Sequence, residues 1–282
     1  MTYSATVGSG GTHTDLNAWV AYVVANYVSG GNLTDNVEAL ITAGGLSVSA
    51  QQIISGWNPN GFTTTIKPNT GAGFRDNANA RTTNAIYYNT GYGAYLNSTY
   101  NSGSSAGALA VRVDKCRIYN LMSKCNGDCP VISFDTNSIT DLILEGNMVW
   151  STFAANGAVL LGSNVNGANI FIRNNVMWNE RAAGSSRALR IDGNDSSGNK
   201  VKVHDNTFWQ DTNGSCTVAC GSDTYIEAIG NVFLQNTNCA LSARDGQTTG
   251  SNNATNKSAW DNTGYGGGSI TGLTSSQFSR SE

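Results

Sequence analysis

Asp192, Asp195 and Asp205 make the best local cluster of carboxylates in the chain, and Arg187 and Arg190 lie just before them. Two carboxyl groups about 5 to 9 Å apart can hydrolyse a glycosidic bond, and an Arg or Lys base beside calcium can serve elimination. The same residues fit a plainer role, because Asp after a strand is an ordinary turn residue. Glu145, Arg173 and His204 recur at one phase of a repeated segment, which predicts an outward charge ladder. These plainer roles are the expectation, so no catalytic residue is assigned.

Six cysteines, Cys116, Cys125, Cys129, Cys216, Cys220 and Cys239, include two Cys-x-x-x-Cys spacings. That spacing is compatible with zinc but is not specific to it, and no His lies near Cys125. With both pairs read as loop residues, local disulfides and reduced thiols remain open. Cys116 and Cys239 read as strand residues. Gly8-Ser9-Gly10-Gly11-Thr12-His13 has no Gly at its sixth position and no Gly-Lys-Ser/Thr after it, so it reads as a linker rather than a phosphate loop. No cofactor or metal is expected.

Trp150, Trp178 and Trp209 are the strongest surface signal. They share one phase of the same repeat and should form an aromatic strip across three coils. Such a strip suits packing against neighbours or stacking on a bacterial surface glycan, unless side loops cover it.

These residues are placed by a repeating rung. Leu142 to Trp150, Ile170 to Trp178, Val201 to Trp209 and Ile226 to Leu234 each carry apolar residues five and three positions before an Asn, and another two after it. Arg117 to Met122 is a weaker copy. Asn120, Asn147, Asn175, Asn206 and Asn231 thus mark an irregular period, as stacked coils with variable side loops require. Apolar residues two apart line one face of a strand, and Asn suits a corner where its amide can bond from coil to coil. The residue two after each Asn (Met122, Val149, Met177, Phe208, Phe233) should face inward. A second strand per coil runs through Leu109 to Asp114, Val131 to Asp135, Val159 to Gly162, Ala188 to Asp192 and Ala240 to Asp245. The expected fold class is all-β, a right-handed single-stranded parallel β-helix.

Composition agrees with one long, thin core. The chain has 282 residues, 33 Gly, only 3 Pro and 12% charged residues. A net charge of -3 gives no footprint for nucleic acid or an anionic membrane. Residues 1–31 read as an N-terminal cap with a strand, a Gly-rich turn and a helix through Leu16, Trp19, Tyr22, Val23 and Tyr27, capped by Thr14 or Asp15. Residues 32–245 form the solenoid, and 246–282 a polar C-terminal cap or attachment tail. The Asn-x-Ser/Thr sequons at Asn32, Asn97 and Asn213 reflect a chain rich in these residues. The first residues lack the basic start and apolar run of a secretory signal, so the chain is expected to be made and left soluble.

Thr6-Val7-Gly8-Ser9-Gly10-Gly11, followed by Thr14-Asp15-Leu16-Asn17-Ala18-Trp19, resembles the opening of a family of right-handed parallel β-helix proteins of tailed bacteriophages and prophages. Phe74-Arg75-Asp76-Asn77-Ala78-Asn79, leading to Ala85-Ile86-Tyr87-Tyr88-Asn89, resembles the segment that precedes that family's regular coils. The resemblance implies a virion-associated structural protein, a capsid decoration or a head or tail fibre. Its partners would be other virion proteins and copies of itself, a trimer among the possible orders, on the virion surface. The alternative is a tailspike-like enzyme or binder of surface polysaccharide.

Overall fold

The structure is a computed structural model that describes residues 1–74, 88–103, 106–134, 139–152, 157–162, 165–180, 187–193, 200–210, 216–221, 224–235, 239–242 and 248–255. Three parallel sheets of nine, eight and seven strands wind around one bore. Each complete coil contributes one strand to each sheet in turn. In one such coil Leu142 and Leu144 of Ile139–Glu145 belong to the first sheet, Met148–Ser151 to the second and Val159–Leu161 to the third. The fold is an all-β parallel β-helix. Nine strands at about 4.8 Å spacing give a rod roughly 40 Å long.

Alternation sets the core. In the first sheet Cys116 and Ile118, Leu142 and Leu144, Ile170 and Ile172, and Val201 and Val203 are buried at matching register, while the residues between them face out. Leu96, Val149, Met177, Phe208 and Phe233 line the bore from the second sheet, and Leu109, Ile132, Val159 and Leu189 from the third. Phe208 and Phe233 stack at 5.4 Å between centroids. Each rung expected to be one bent strand is therefore two strands, one in the first sheet and one in the second.

The bend between them needs a left-handed residue. Asn120, Gly146, Asn174, Asp205, Gly230 and Asn252 occupy it, with φ between 52° and 71°. The bonding Asn is the next residue, turned inward and buried. Asn147, Asn175, Asn206, Asn231 and Asn253 form that column, each 0–1% exposed. Asn120 is therefore not in the ladder, contrary to expectation. Tyr119 pairs with Glu145, which puts Leu121 level with Asn147. A slip of one residue moves a side chain to the other face. Met122 accordingly lies outside the bore, packed with Phe74 and Met148.

Two further boundaries differ from expectation. Thr2–Val7 is not a separate cap strand, because it pairs in parallel with Asn36–Ile41 as the edge of the first sheet. The solenoid continues past residue 245, since Thr248–Ser251 and Ala254–Thr255 add to the first and second sheets. Of the tail expected at 246–282, residues 256–282 lie outside the described residues, as do the segments at 75–79 and 85–87.

The helix Leu16–Tyr27 closes the third sheet's edge. Asp15 Oδ1 caps it by accepting from the Ala18 N–H at 2.8 Å. Gln52 Oε1 on the edge strand accepts from the Leu16 and Asn17 N–H groups, and Asn17 Oδ1 accepts from the Ile53 N–H. Backbone groups that an open edge would leave bare are thus bonded. Leu16, Trp19 and Val23 enter the core. Tyr22 and Tyr27 instead stack on Tyr3, at 5.3 and 4.4 Å between centroids.

Candidate interaction surface

The outer face of the second sheet is apolar for most of its length. Register places Asn97, Lys124, Trp150, Trp178, Trp209 and Leu234 in one outward column. Beside it run Tyr95, Met122, Met148, Val176, Thr207 and Val232 in a second column. A sheet face that met only water would alternate with polar residues here.

Equal register at the strand spacing forces the indoles together. Trp150 and Trp178 stack with centroids 4.6 Å apart and planes 4° apart, and Trp178 and Trp209 repeat this at 4.6 Å and 9°. Carbon atoms in contact sit about 3.5 to 4 Å apart, so neighbouring rings are slid by roughly 2 to 3 Å. That offset avoids the repulsive face-to-face arrangement of two quadrupoles. Lys124 tops the column with its Nζ 5.1 Å from the Trp150 ring, a cation over an aromatic face.

The upper part of this face is covered by the chain itself. Phe74 and Tyr92, on the excursion between the strands Thr64–Pro68 and Tyr95–Ser98, pack with Met122 and Met148. Tyr88 meets Trp150 edge-on at 6.3 Å and 80°. Trp150 is therefore only 6% exposed, not part of an open strip. Burial also drives the Tyr88 phenol far above its usual pKa, with the neighbouring Tyr95 adding to the rise. Lower down, Val176, Trp178, Thr207, Trp209, Val232 and Leu234 are all half-buried. The signal for this covering was absent from the rungs, because the covering residues lie in a separate excursion.

Stacking decides what the column can bind. Each indole face inside the stack already meets another indole, and Lys124 lies over Trp150. The two faces shared between neighbouring indoles are closed to a ligand. A pyranose stacks on an open aromatic face, so the geometry suits edge and side-chain packing better than a run of stacked sugars.

The first sheet's outer face carries charges in register, as expected. Glu145 pairs with Arg173 at 2.8 Å, and Arg173 is level with His204, which meets Glu227 at 2.9 Å. Arg117 pairs with Asp141, Lys67 with Glu38 at 2.9 Å, and Lys202 lies 4.4 Å over the Phe171 ring. Burial works against the Glu38 carboxylate, but bonds from Lys67 and Ser4 outweigh it and hold the pKa below the usual value. Such pairs keep a flat sheet face soluble and oppose lateral sticking.

Of the carboxylate cluster, Asp192 and Asp205 are described, and they follow strands of different sheets. Asp192 follows the third-sheet strand Leu189–Ile191 and is held by Arg190 Nε at 2.7 Å from its Oδ2. Asp205 sits at the far end of the first-sheet strand Val201–His204. Asp195 lies outside the described residues, as do Asn213 and any strand content of 243–245.

The cysteines divide differently from expectation. Cys216 and Cys220 are not in a loop but at the ends of the third-sheet strand Cys216–Cys220, about 13 Å apart in an extended chain, too far for a local disulfide. Cys116 is fully buried in the bore, and burial pushes its thiol up to about 12. Cys239 lies on the adjoining third-sheet strand, its backbone level with Cys216. Cys125 and Cys129 lie together with their sulfurs 3.4 Å apart. Among the described residues no three His, Cys, Asp or Glu side chains converge as a metal site.

No family model, curated protein or solved structure matches the chain. Its surfaces therefore carry the functional reading. Among the described residues no helix is long and apolar enough to cross a membrane.

Proposed function

We propose that this chain is a structural protein of a tailed bacteriophage virion, a capsid decoration or a head or tail fibre component that presents a stiff β-helix. The observation that carries the reading is the lower outer face of the second sheet. There Trp178, Trp209 and Leu234 run unbroken in one half-buried column, with Val176 and Val232 on either side of Thr207 in the column beside it. Contiguous apolar surface of this kind marks contact with protein, and Trp is enriched at such contacts. The paired charges on the first sheet would leave that side in solvent. The opening Thr6 to Trp19, with its resemblance to phage β-helix proteins, supplies the virion setting.

In this reading copies of the chain associate through the tryptophan face, a trimer being one closed arrangement. The runner-up is a tailspike-like module for bacterial surface polysaccharide. Electron microscopy of virions from the source phage, with and without the gene, tests the proposal. Regular surface density that vanishes with the gene supports it. Unchanged heads and tails would overturn it, and the purified protein would then be tried on host capsular polysaccharide.

A further inference from the structure

Cys125 and Cys129 bracket the turn Asn126-Gly127-Asp128, which takes the chain from the second sheet toward the third. Their sulfurs lie 3.4 Å apart. Both also approach the carbonyl oxygen of Tyr100 on the preceding coil, Cys125 at 3.4 Å and Cys129 at 3.3 Å. A disulfide needs about 2.05 Å between sulfurs. Two thiols already in contact reach that by side-chain rotation and a small closing of the turn.

The turn is built to hold them there. Gly127 has no room for a side chain, because a Cβ would run into the Tyr100 carbonyl. The Cys129 N–H donates to the Gly127 carbonyl at 2.9 Å, tightening the turn. Both cysteines are buried, at 0% and 1% exposure, so the pair is shielded until the turn opens.

The two sulfurs are not equivalent. The Gly127 N–H donates to Cys125 Sγ at 3.4 Å, and the Cys129 thiol can donate to the same atom. Donors aimed at a sulfur favour its thiolate. The bond from Cys129 holds the Cys125 thiol below its usual pKa, with the Gly127 N–H helping, despite burial. That same bond, together with burial, drives the Cys129 thiol up. In the exchange proposed below, Cys125 is therefore the attacking sulfur and Cys129 the resolving one.

We propose that Cys125 and Cys129 are a redox-active dithiol that closes to an intramolecular disulfide by exchange with a small-molecule disulfide such as oxidised glutathione. The Cys125 thiolate attacks one sulfur of the oxidant, forming a mixed disulfide and expelling one glutathione thiolate. That thiolate takes up the proton given up by Cys129. Cys129 sulfur then attacks Cys125 sulfur, and the second glutathione leaves as a thiolate that takes up the proton Cys125 had released. Two protein thiols are oxidised, and one glutathione disulfide is reduced to two thiols. The closed bridge locks the turn against Tyr100, fixing this corner of the coil once the chain leaves reducing surroundings. The inference does not depend on the assembly reading.

The test is equilibration of the full chain in glutathione buffers of graded oxidised-to-reduced ratio, followed by acid quench, alkylation and peptide mapping. The expected result is a peptide lighter by two hydrogen atoms that spans Cys125 and Cys129, reopened by excess reduced glutathione, while Cys116 stays a thiol. In Cys129→Ser the reaction should stop at Cys125 carrying glutathione. In Cys125→Ser, Cys129 should take up glutathione several-fold more slowly. Wild-type chain with both residues alkylated at the most oxidising ratio would overturn the proposal. Equal glutathione uptake by the two variants would overturn the assigned order of attack. If circular dichroism shows either variant unfolded, the wild-type map alone decides whether the bridge forms.

Discussion

Asn147 and Asn175 lie one coil apart, and both nitrogens of Asn147 that face its neighbour, the backbone N–H at 2.9 Å and Nδ2 at 3.1 Å, donate to Asn175 Oδ1. Asn175 does the same to Asn206, Asn206 to Asn231, and Asn231 to Asn253. Each amide also reaches back to a first-sheet carbonyl on the preceding coil: Asn147 Nδ2 donates to Ile118 O, and Asn175 Nδ2 to Leu144 O. A side-chain amide has two donor hydrogens and two acceptor lone pairs, and at the buried Asn175, Asn206 and Asn231 all are used. The ladder thus fixes the corner while the loops beyond it vary.

Asn175→Ala should be costly for that reason. It strips the acceptor from the Asn147 backbone N–H, while Asn147 Nδ2 keeps Ile118 O and Glu145 O; it also takes the Nδ2 donor from the Leu144 carbonyl and one of two donors from Asn206 Oδ1. Each buried polar group left unpaired costs about 1 to 3 kcal/mol. A loss of roughly 3 kcal/mol or more is expected in urea unfolding. A loss under about 1 kcal/mol would show that water or neighbouring backbone replaces the amide.

Gly230→Ala tests the corner beside the ladder. Gly230 has φ of +67°, and a Cβ there would run into Asp205 Oδ1 on the preceding coil. Left-handed backbone costs a residue with a Cβ about 1 to 2 kcal/mol before any clash. The variant should therefore be destabilised by at least about 1 kcal/mol. Adding Asp205→Gly, which removes the obstructing carboxylate, should recover part of the loss. Thermal unfolding of the two variants checks both statements.

Cys116 should make the fold sensitive to alkali. Burial pushes its folded thiol up to about 12, above the unfolded value of about 8.5. A raised folded pKa gives stability that is present below the unfolded pKa and lost as pH rises toward the folded one. Between about pH 9 and 11 this group alone should cost about 1.4 kcal/mol per pH unit. Cys116→Ala should flatten that part of the stability profile by this slope, even though its neutral-pH stability is lower. An unchanged slope would show that the thiol is not buried in solution.

Much of this was legible because a solenoid writes its core into a two-residue alternation. Leu142 and Leu144, Ile170 and Ile172, and Val201 and Val203 announce the first sheet without help from distant contacts. Register at the corner was less legible. Asn120 looks like its counterparts by type but is a left-handed corner residue, and Leu121 stands in the ladder's place. Asn253 was hidden by its own coil, where Thr248 takes the inward place that Ile226 holds one coil earlier. The third-sheet strand Cys216–Cys220 carries buried Thr217 and Val218 between two cysteines, a pattern that reads as a loop. The Trp column's phase could be read, but its covering by Tyr88 could not, since an excursion's packing leaves no periodic trace.

Trp178 is where fold and proposed function can be separated. It is the middle indole, stacked on Trp150 above and Trp209 below. Aromatic pairs contribute about 0.5 to 1.5 kcal/mol each beyond area burial, and Trp178 is half-buried on an outer face. Trp178→Ala should cost the isolated chain about 2 kcal/mol while preserving its β-sheet circular dichroism, because the bore beneath is filled by Met177 and Phe208. If copies pack through this face, sedimentation should also show weaker association in the variant, beyond what the lost stability explains. Trp178→Phe keeps a stacked ring but shortens the outward edge, so it should regain most of the stability and little of the association. Full association in both variants would remove the tryptophan face from the assembly, leaving the stack with a role in the monomer only.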